Sequence, residues 1–206
     1  MPTPPESETD HPFVGRGGEK LAFALAEFTI DPAGLTCADL GANVGGFTDC
    51  LIRAGAEQVF AVDTGYGALD WRLRTDPRVV VMERTNALHA EPPEGGVDLV
   101  VVDLGWTPQR LAIPAALRWL RPGGARRVIT LIKPHYEASA TGKGRRLKRG
   151  VLDPDDAEWI AQNTLASMPG WGARVIASAR SPIRGGAGKG RKGNAEWLAL
   201  LERAGS

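Results

Sequence analysis

Ala38-Asp-Leu-Gly-Ala-Asn-Val-Gly-Gly-Phe-Thr-Asp49 is the stretch that decides the fold of this 206-residue chain. It follows a short apolar run that begins at Gly34, and it leads into a segment of helical character that begins at Phe47. A strand, a glycine turn and a helix start, in that order, bring the backbone close to a ligand and direct free helix N–H groups toward it. The stretch therefore predicts a ligand-binding turn in an α/β protein.

The spacing of the glycines narrows the class of ligand. A dinucleotide fingerprint, G-x-G-x-x-G, requires glycine where this chain has Asn43. The pattern present, Asp39-x-Gly41-x-x-x-Gly45-Gly46, is typical of methyltransferases that bind S-adenosylmethionine (SAM). A second apolar run ends at Asp63, about 20 residues after the glycines, where a carboxylate suits the hydroxyl pair of a ribose. An ordinary strand-to-helix turn is the alternative interpretation of the same residues.

Apolar runs and helical patterns alternate through the rest of the chain. Predicted strands cover residues 34–38, 59–63, 78–83, 97–103, 127–133, 173–178 and, with a helix as the alternative, 195–201. Predicted helices cover residues 21–28, 47–54, 68–74, 109–120 and 153–168. This alternation predicts a Rossmann-like α/β fold with a mostly parallel seven-stranded sheet, helices on both faces, and ligands at the carboxyl ends of the strands.

Length and composition indicate one globular domain. We expect residues 1–12, which are acidic and rich in proline, to form a disordered tail, and residues 13–206 to form the domain. No apolar run approaches the roughly 20 residues that span a bilayer, and no signal peptide is visible, so we expect a cytoplasmic protein without a membrane segment. Cys37 and Cys50 are interpreted as buried apolar residues, and the three scattered histidines predict no metal site.

The charge is distributed unevenly along the chain. Residues 1–120 contain 9 Lys and Arg against 17 Asp and Glu, whereas residues 121–206 contain 16 against 7. The basic residues concentrate in predicted loops near residues 138–150 and 181–194. These runs are either solvated loops or contacts to a polyanion such as an RNA backbone.

Four charged residues are expected to converge at the ligand edge of the sheet. Asp103 ends the fourth predicted strand and Lys133 ends the fifth. Lys20 is predicted in the first turn of a helix antiparallel to the first strand. Glu196 reaches the same edge if the seventh strand is inserted antiparallel. Each residue alone has a structural alternative, such as an Asp103–Lys133 ion pair at the strand ends or a surface position for Glu196.

Several ordered segments resemble those of the FtsJ-like RNA 2′-O-methyltransferases, and most closely the hemolysin-named ribosomal-RNA branch (TlyA). The resemblance extends from about Phe13 to Leu201. The segments that carry it are Gly15-Arg-Gly-Gly-Glu-Lys-Leu21, the glycine stretch, Ala61-Val-Asp-Thr-Gly-Tyr-Gly-Ala-Leu69, Glu83-Arg-Thr-Asn86, Leu131-Ile-Lys-Pro-His-Tyr-Glu137 and Gly193-Asn-Ala-Glu-Trp197.

The resemblance implies a SAM-dependent methyltransferase that acts on a ribose 2′-hydroxyl, with ribosomal RNA or a ribosomal subunit as its partner. It implies a Lys-Asp-Lys-Glu catalytic tetrad at Lys20, Asp103, Lys133 and Glu196, and no metal. The implied SAM contacts are Asp39, Gly41, Gly45, Gly46, Phe47, Asp63, Asn86 and Asp103. The predicted RNA contacts are Arg16, Lys143, Arg145, Arg146, Lys148, Arg149, Lys189, Arg191 and Lys192.

A ribose hydroxyl is a poor nucleophile near neutral pH and must lose its proton during attack, so the reaction needs a base. We assign Lys133 as this general base, with the other three tetrad residues orienting it. Trp106, which follows Asp103 closely, is a candidate for stacking on a base, with core or rim packing as the alternative.

Three departures from the family bear on the RNA target. The chain has no room for the N-terminal S4-like domain of TlyA-type proteins, the segment after Asp103 is changed to Leu-Gly-Trp-Thr-Pro-Gln109, and the loop before Gly193 is enlarged. Two alternatives therefore stay open. One is an RNA-binding protein that keeps the fold without catalysis, and the other is a SAM-dependent enzyme with a substrate other than RNA.

Overall fold

A computed structural model describes residues 12–123, 126–140, 150–186 and 193–205, without the side chains of residues 139 and 140. Nearly all of the predicted tail and the central parts of both basic stretches lie outside these residues. Among the described residues, no helix is both long enough and apolar enough to cross a bilayer.

Seven strands and six α-helices make up the described part of the chain. The strands are β1 (Thr36–Leu40), β2 (Gln58–Val62), β3 (Val79–Met82), β4 (Leu99–Val102), β5 (Arg127–Ile132), β6 (Ala173–Arg180) and β7 (Trp197–Arg203). The helices are α1 (Arg16–Glu27), α2 (Gly46–Arg53), α3 (Trp71–Arg74), α4 (Gln109–Trp119), α5 (Pro134–Ala140) and α6 (Pro154–Ser167), and a 3₁₀ turn covers Met168–Trp171.

The strands form a single sheet in the order β3-β2-β1-β4-β5-β7-β6. The pairs β1–β2, β2–β3, β1–β4 and β4–β5 are parallel, and β7 lies antiparallel between β5 and β6. The chain leaves β1 toward β2 and returns on the other side of β1 as β4, so the order reverses between β1 and β4. The sequence-based fold class and the strand assignment of the seventh run are both confirmed.

The two faces of the sheet bury separate apolar clusters. Alternate strand residues contribute to each, as Cys37 and Ala38 do in β1. One face packs against α1, α2 and Leu73 of α3, and the other packs against α4 and α6. This is the three-layer arrangement that a mostly parallel sheet requires, because both of its faces are apolar.

Three local predictions were wrong. Helix α1 begins at Arg16 rather than at residue 21, so Lys20 lies in its second turn and not its first. Residues 68–70 precede α3 and are not helical. Helix α5 was not predicted, and it includes residues 138–140, which had been assigned to a basic loop. Pro134 begins α5, a position where proline's fixed φ and missing N–H suit a helix.

Candidate active site

The carboxyl ends of β1, β4 and β5 meet at one edge of the sheet. Gly41 follows β1, Asp103 follows β4, and Lys133 follows β5. Glu196 reaches this edge because it immediately precedes the antiparallel strand β7. Ligands of open α/β sheets bind at the point where the strand order reverses, which here is the gap between β1 and β4. This edge is therefore the candidate active site.

The four predicted tetrad residues form two ion pairs. The ammonium Nζ of Lys20 lies 2.5 Å from Oε2 of Glu196, and both side chains are buried, at 9% and 2% exposure. The ammonium of Lys133 pairs with Oδ1 of Asp103, and both of these side chains are partly exposed to the cavity. The structure thus brings all four residues to the same edge, with the buried pair behind a more accessible one.

The charges of the two pairs influence each other. Burial raises the pKa of the Glu196 carboxyl, while Lys20 and, more weakly, Lys133 act to lower it. Burial and then the charges of Lys133 and Lys20 lower the pKa of the neighbouring His135 to about 4. His135 is therefore neutral near pH 7, beside two lysines. Sequence reasoning did not identify His135, although its place two residues after Lys133 was a usable signal.

Gly41 and Gly46 serve close approaches of the backbone. Gly41 has φ +100°, and a Cβ at this position would lie 2.7 Å from the carbonyl oxygen of Asp103. A Cβ at Gly46 would lie 2.9 Å from the backbone nitrogen of Gly18 in α1. The first approach joins the ends of β1 and β4, and the second packs the N-termini of α1 and α2 together.

Asp63 is fixed by two backbone donors. Its Oδ2 accepts from the N–H of Asn43 at 2.9 Å, and its Oδ1 accepts from the N–H of Gly65 at 2.7 Å. Asn43 adopts the left-handed conformation at φ +50°, which asparagine tolerates better than most residues. Because an ionised carboxylate has about four lone-pair sites, Asp63 keeps acceptor capacity for a ligand.

Two cavities adjoin at this edge. The larger has a volume of about 500 Å³ and is lined by Asp63, Asn86, Lys133 and residues 104–107. The smaller, about 110 Å³, is lined by residues 15–17 at the start of α1 and by Gly46 and Phe47 at the start of α2. Gly41, Asn43 and Asp103 line both. Asp103 therefore marks the junction of the two cavities.

Asp39 lies behind the cavities and does not line either of them. Its side chain is fully buried, and its Oδ2 accepts from the hydroxyl of Thr48 at 2.7 Å. The pKa of this carboxyl is raised to about 7, chiefly by burial; hydrogen bonds from Thr48 act to lower it, and the charges of Asp103 and Asp63 add to the rise. Asp39 thus joins β1 to the start of α2 from a position outside both cavities.

An aromatic pair borders the larger cavity. The Trp106 side chain is 84% exposed, and its residue has φ +60°, which is unusual for a bulky side chain. The Trp106 and Tyr136 ring centroids lie 4.7 Å apart with a tilt of 35°. Lys133 Nζ lies 5.8 Å from the centroid of the Tyr136 ring. The sequence reasoning named Trp106 but not Tyr136, which follows Lys133 by three residues.

Several other predicted site residues have distinct outcomes. Gly45 caps α2 with φ +100° and packs under Leu69 and Leu73, without lining a cavity. Arg16 lines the smaller cavity. The remaining predicted RNA contacts lie outside the described residues, namely Lys143, Arg145, Arg146, Lys148, Arg149, Lys189, Arg191 and Lys192. Within the described residues, no group of three or more His, Cys, Asp or Glu side chains could hold a metal ion.

Comparisons with known proteins concern the family and the fold of the chain. Residues 13–168 match the FtsJ-like methyltransferase family. The chain is 37% identical over 193 residues to YqxC of Bacillus subtilis, named as a candidate rRNA methyltransferase. It is 40% identical over 205 residues to the 16S/23S rRNA (cytidine-2′-O)-methyltransferase TlyA of Mycobacterium tuberculosis. A solved structure of a hemolysin candidate from Streptococcus thermophilus superimposes with a TM-score of 0.84 at 34% identity, covering 97% of this chain and 70% of that one.

The matches extend over most of this chain but less of its relatives. They cover 92% of the chain and 65% of YqxC, and 95% of the chain and 70% of TlyA. The chain thus spans about two thirds of the length of these curated relatives.

Proposed function

Because this chain belongs to the FtsJ-like methyltransferase family, we propose that it transfers a methyl group from SAM to a ribose 2′-hydroxyl of ribosomal RNA. The position of the Lys133–Asp103 pair carries the proposal, because Asp103 lines both cavities and Lys133 opens into the larger one. The relative named as an rRNA (cytidine-2′-O)-methyltransferase supports RNA as the substrate class.

The two cavities fit the two ends of SAM. The larger one is within the range of about 300–1,000 Å³ typical of ligand pockets, and its Asp63 carboxylate suits the ribose hydroxyls of the adenosine part. The smaller one is bordered by the N-termini of α1 and α2, neither of which has a side-chain cap. The positive ends of two helix dipoles suit the carboxylate of the methionine part.

If SAM binds in this orientation, Asp103 would hold the central part of the cofactor, because it lines both cavities. SAM supplies an electrophilic methyl group on a positively charged sulfur. The carboxylate of Asp103 would match that charge, and the Lys133 amine, after its ammonium has released a proton to solvent, would accept the proton of the attacking hydroxyl. Lys20 and Glu196 are buried and line neither cavity, and we assign them the role of orienting Lys133 and Asp103. A positioned base of this kind contributes about 10²–10⁴ in rate.

We further propose that the Trp106–Tyr136 pair receives the base of the target nucleotide. Both rings line the larger cavity beside Lys133, and Trp106 is exposed enough to stack on an unpaired base. The basic stretches around residues 141–149 and 187–192 are proposed as contacts to the RNA backbone because of their sequence.

Labelled SAM and ribosomal RNA test the proposal. We expect label in 2′-O-methyl nucleosides, and we expect Lys133→Ala to reduce the rate about 10²–10⁴-fold. Arg72→Ala is the matched control, because Arg72 of α3 forms its ion pair with the preceding Asp70 and neither residue lines either cavity. Label on a base or on protein, or equal rates for Lys133→Ala and Arg72→Ala, would contradict the proposal.

The labelling assay, together with calorimetry of SAM binding, separates the two alternative functions. SAM binding measured by calorimetry without methylation of any RNA would indicate a binding protein with the fold but without the activity. Methylation of a small molecule or a protein in the absence of RNA labelling would indicate a different substrate class.

A further inference from the structure

The residues that flank Glu196 are fixed by backbone hydrogen bonds to the loop after β6. Gly185 and Asn194 form an antiparallel bridge, with N–H···O distances of 2.9 and 2.8 Å in the two directions. The N–H of Ser181 donates to the carbonyl oxygen of Glu196 at 2.9 Å. The backbone that carries the Glu196 side chain is therefore held from both sides of the loop.

Asn194 extends this frame to a third segment. Its Nδ2 donates to the carbonyl oxygen of Gly150 at 2.9 Å, and its Oδ1 accepts from the N–H of Leu152 at 3.0 Å. Both the backbone and the side chain of this buried residue are thus engaged, two positions before Glu196. The frame leaves the chain at residues 194–196 little freedom to shift.

Gly185 lies directly against the Glu196 carboxylate. A Cβ at this position would overlap Oε1 of Glu196 and lie 3.0 Å from Oε2. Gly185 is not among the glycines with positive φ, so its backbone conformation is open to any residue. The exclusion of a side chain at this position is therefore a matter of space alone.

We propose that Gly185 is a positioning residue of the tetrad, because a Cβ at this position would occupy the space from which the Glu196 carboxylate contacts Lys20. This inference rests on the proposed function and adds to it a residue outside the four charged ones. Gly185 contacts neither cavity, and it acts through Glu196.

The burial of Glu196 explains why a small change should have a large effect. Its side chain is 2% exposed, so a carboxylate displaced by a methyl group has no solvent to move into. Because the backbone at residues 194 and 196 is held by hydrogen bonds, the side chain itself must move, and this movement changes the 2.5 Å contact between the carboxylate and Lys20. Displacements of about 1 Å in catalytic constellations can reduce rates about 10²-fold.

Gly185→Ala, measured with SAM and RNA, is the direct test. We expect kcat to fall about 10- to 100-fold, while the KM for RNA and the calorimetric Kd for SAM stay within about twofold of wild type. Gly170→Ala is the matched control, because Gly170 also lacks a positive φ and a Cβ there would meet no atom within 4 Å. An unchanged kcat in Gly185→Ala, or a parallel loss of SAM binding, would overturn the inference.

A double-mutant cycle with Glu196→Ala tests whether Gly185 acts through Glu196. In wild type, Gly185→Ala should lower the Tm by several degrees. In the Glu196→Ala background, where the carboxylate is gone, it should leave the Tm unchanged. If Gly185→Ala alone does not fold, the double variant should still fold as Glu196→Ala does. Equal Tm shifts in both backgrounds would overturn the inference.

The Tm cycle also separates this inference from the proposed function. It requires no RNA and no turnover, so it reports on the Gly185–Glu196 contact even if the wild-type protein methylates no RNA. Absence of RNA methylation would contradict the proposed function and the kinetic consequence of Gly185. An additive cycle would contradict the contact itself.

Discussion

Lys20→Met tests whether the buried half of the tetrad is held together by charge. The substitution keeps the length and the apolar stem of Lys20 and removes its ammonium, which lies 2.5 Å from Oε2 of Glu196. The Glu196 carboxylate then remains buried, at 2% exposure, without its cation. Removing one partner of a buried ion pair destabilises proteins by about 3–5 kcal/mol.

The expected loss depends on pH in a defined direction. Burial already raises the pKa of Glu196, and Lys20 is the strongest influence that lowers it, so Lys20→Met raises it further. A raised pKa means that the folded state holds the Glu196 proton more tightly than the unfolded state does. Stability then falls as pH rises above the unfolded-state value, so the difference between Lys20→Met and wild type should grow between pH 5 and pH 8.

Urea unfolding at pH 5 and pH 8 provides the measurement. We expect Lys20→Met to lose about 3 kcal/mol or more at pH 8, which corresponds to a Tm reduction of about 6–12 °C for a domain of this size, and less at pH 5. Arg72→Met, which breaks an ion pair whose Arg72 side chain is 69% exposed, should lose far less stability than Lys20→Met at pH 8 and show no clear dependence on pH.

The double variant Lys20→Met/Glu196→Met completes the test. Replacing a buried ion pair by apolar residues of similar volume is often neutral or stabilising, so its stability should return close to that of wild type. Its methyltransferase activity should not return. A loss for Lys20→Met no larger than that for Arg72→Met, or a double variant less stable than both single variants, would refute the reasoning.

Three further predictions concern other parts of the site. Asp39→Asn should become more stable relative to wild type as pH rises from about 4 to 7, by at most about 4 kcal/mol, because a buried carboxyl whose pKa is raised to about 7 loses its proton only at a cost; a pH-independent difference in urea unfolding would contradict this. Asp63→Ala should weaken SAM binding about 10- to 100-fold in calorimetry, through the loss of charged hydrogen bonds to ribose; equal affinity would remove Asp63 from the proposed site. Trp106→Ala should raise the KM for RNA about 5- to 150-fold, because stacking on one base contributes about 1–3 kcal/mol, without changing SAM affinity; a loss of SAM affinity instead would indicate that Trp106 serves the cofactor.

The alternation of strands and helices was predictable because parallel strands and amphipathic helices have distinct apolar patterns. The seventh strand was harder, since residues 197–201 are all buried and such a run has no period that separates strand from helix. The run forms a strand because it pairs with β5 on one side and with β6 on the other. The early start of α1 was not predictable from propensity, because Gly17 and Gly18 are poor helix formers. Gly18 lies within this helix because Phe13 packs directly against it, and a Cβ at position 18 would collide with the Phe13 side chain.

The ends of the strands and the family resemblance predicted that the four charged residues meet at one edge of the sheet, but only one of their two pairings. The Asp103–Lys133 ion pair was expected as an alternative from the two strand ends, whereas nothing in the sequence indicates that Lys20 pairs with Glu196, 176 residues away. The proposed role of Gly185 could not be predicted from the sequence either, since it depends on the contact of Gly185 with the Glu196 carboxylate. Pairings of this kind follow from the register of β7 and from helix packing, which are properties of the assembled sheet.

The cost of burying one pair and the exposure of the other are both easier to explain by the proposed chemistry than by stability. Burying a pair such as Lys20 and Glu196 costs desolvation energy that an apolar pair would avoid. The other pair, Lys133 and Asp103, is partly exposed and lines the cavities. An ion pair in such a position contributes little to the free energy of folding. The accessible pair lies beside the gap between β1 and β4, where the strand order reverses and ligands of open α/β sheets bind. The proposed methyl-transfer site would account for this pair, because that reaction needs an oriented amine beside a carboxylate, and for the buried pair as its support.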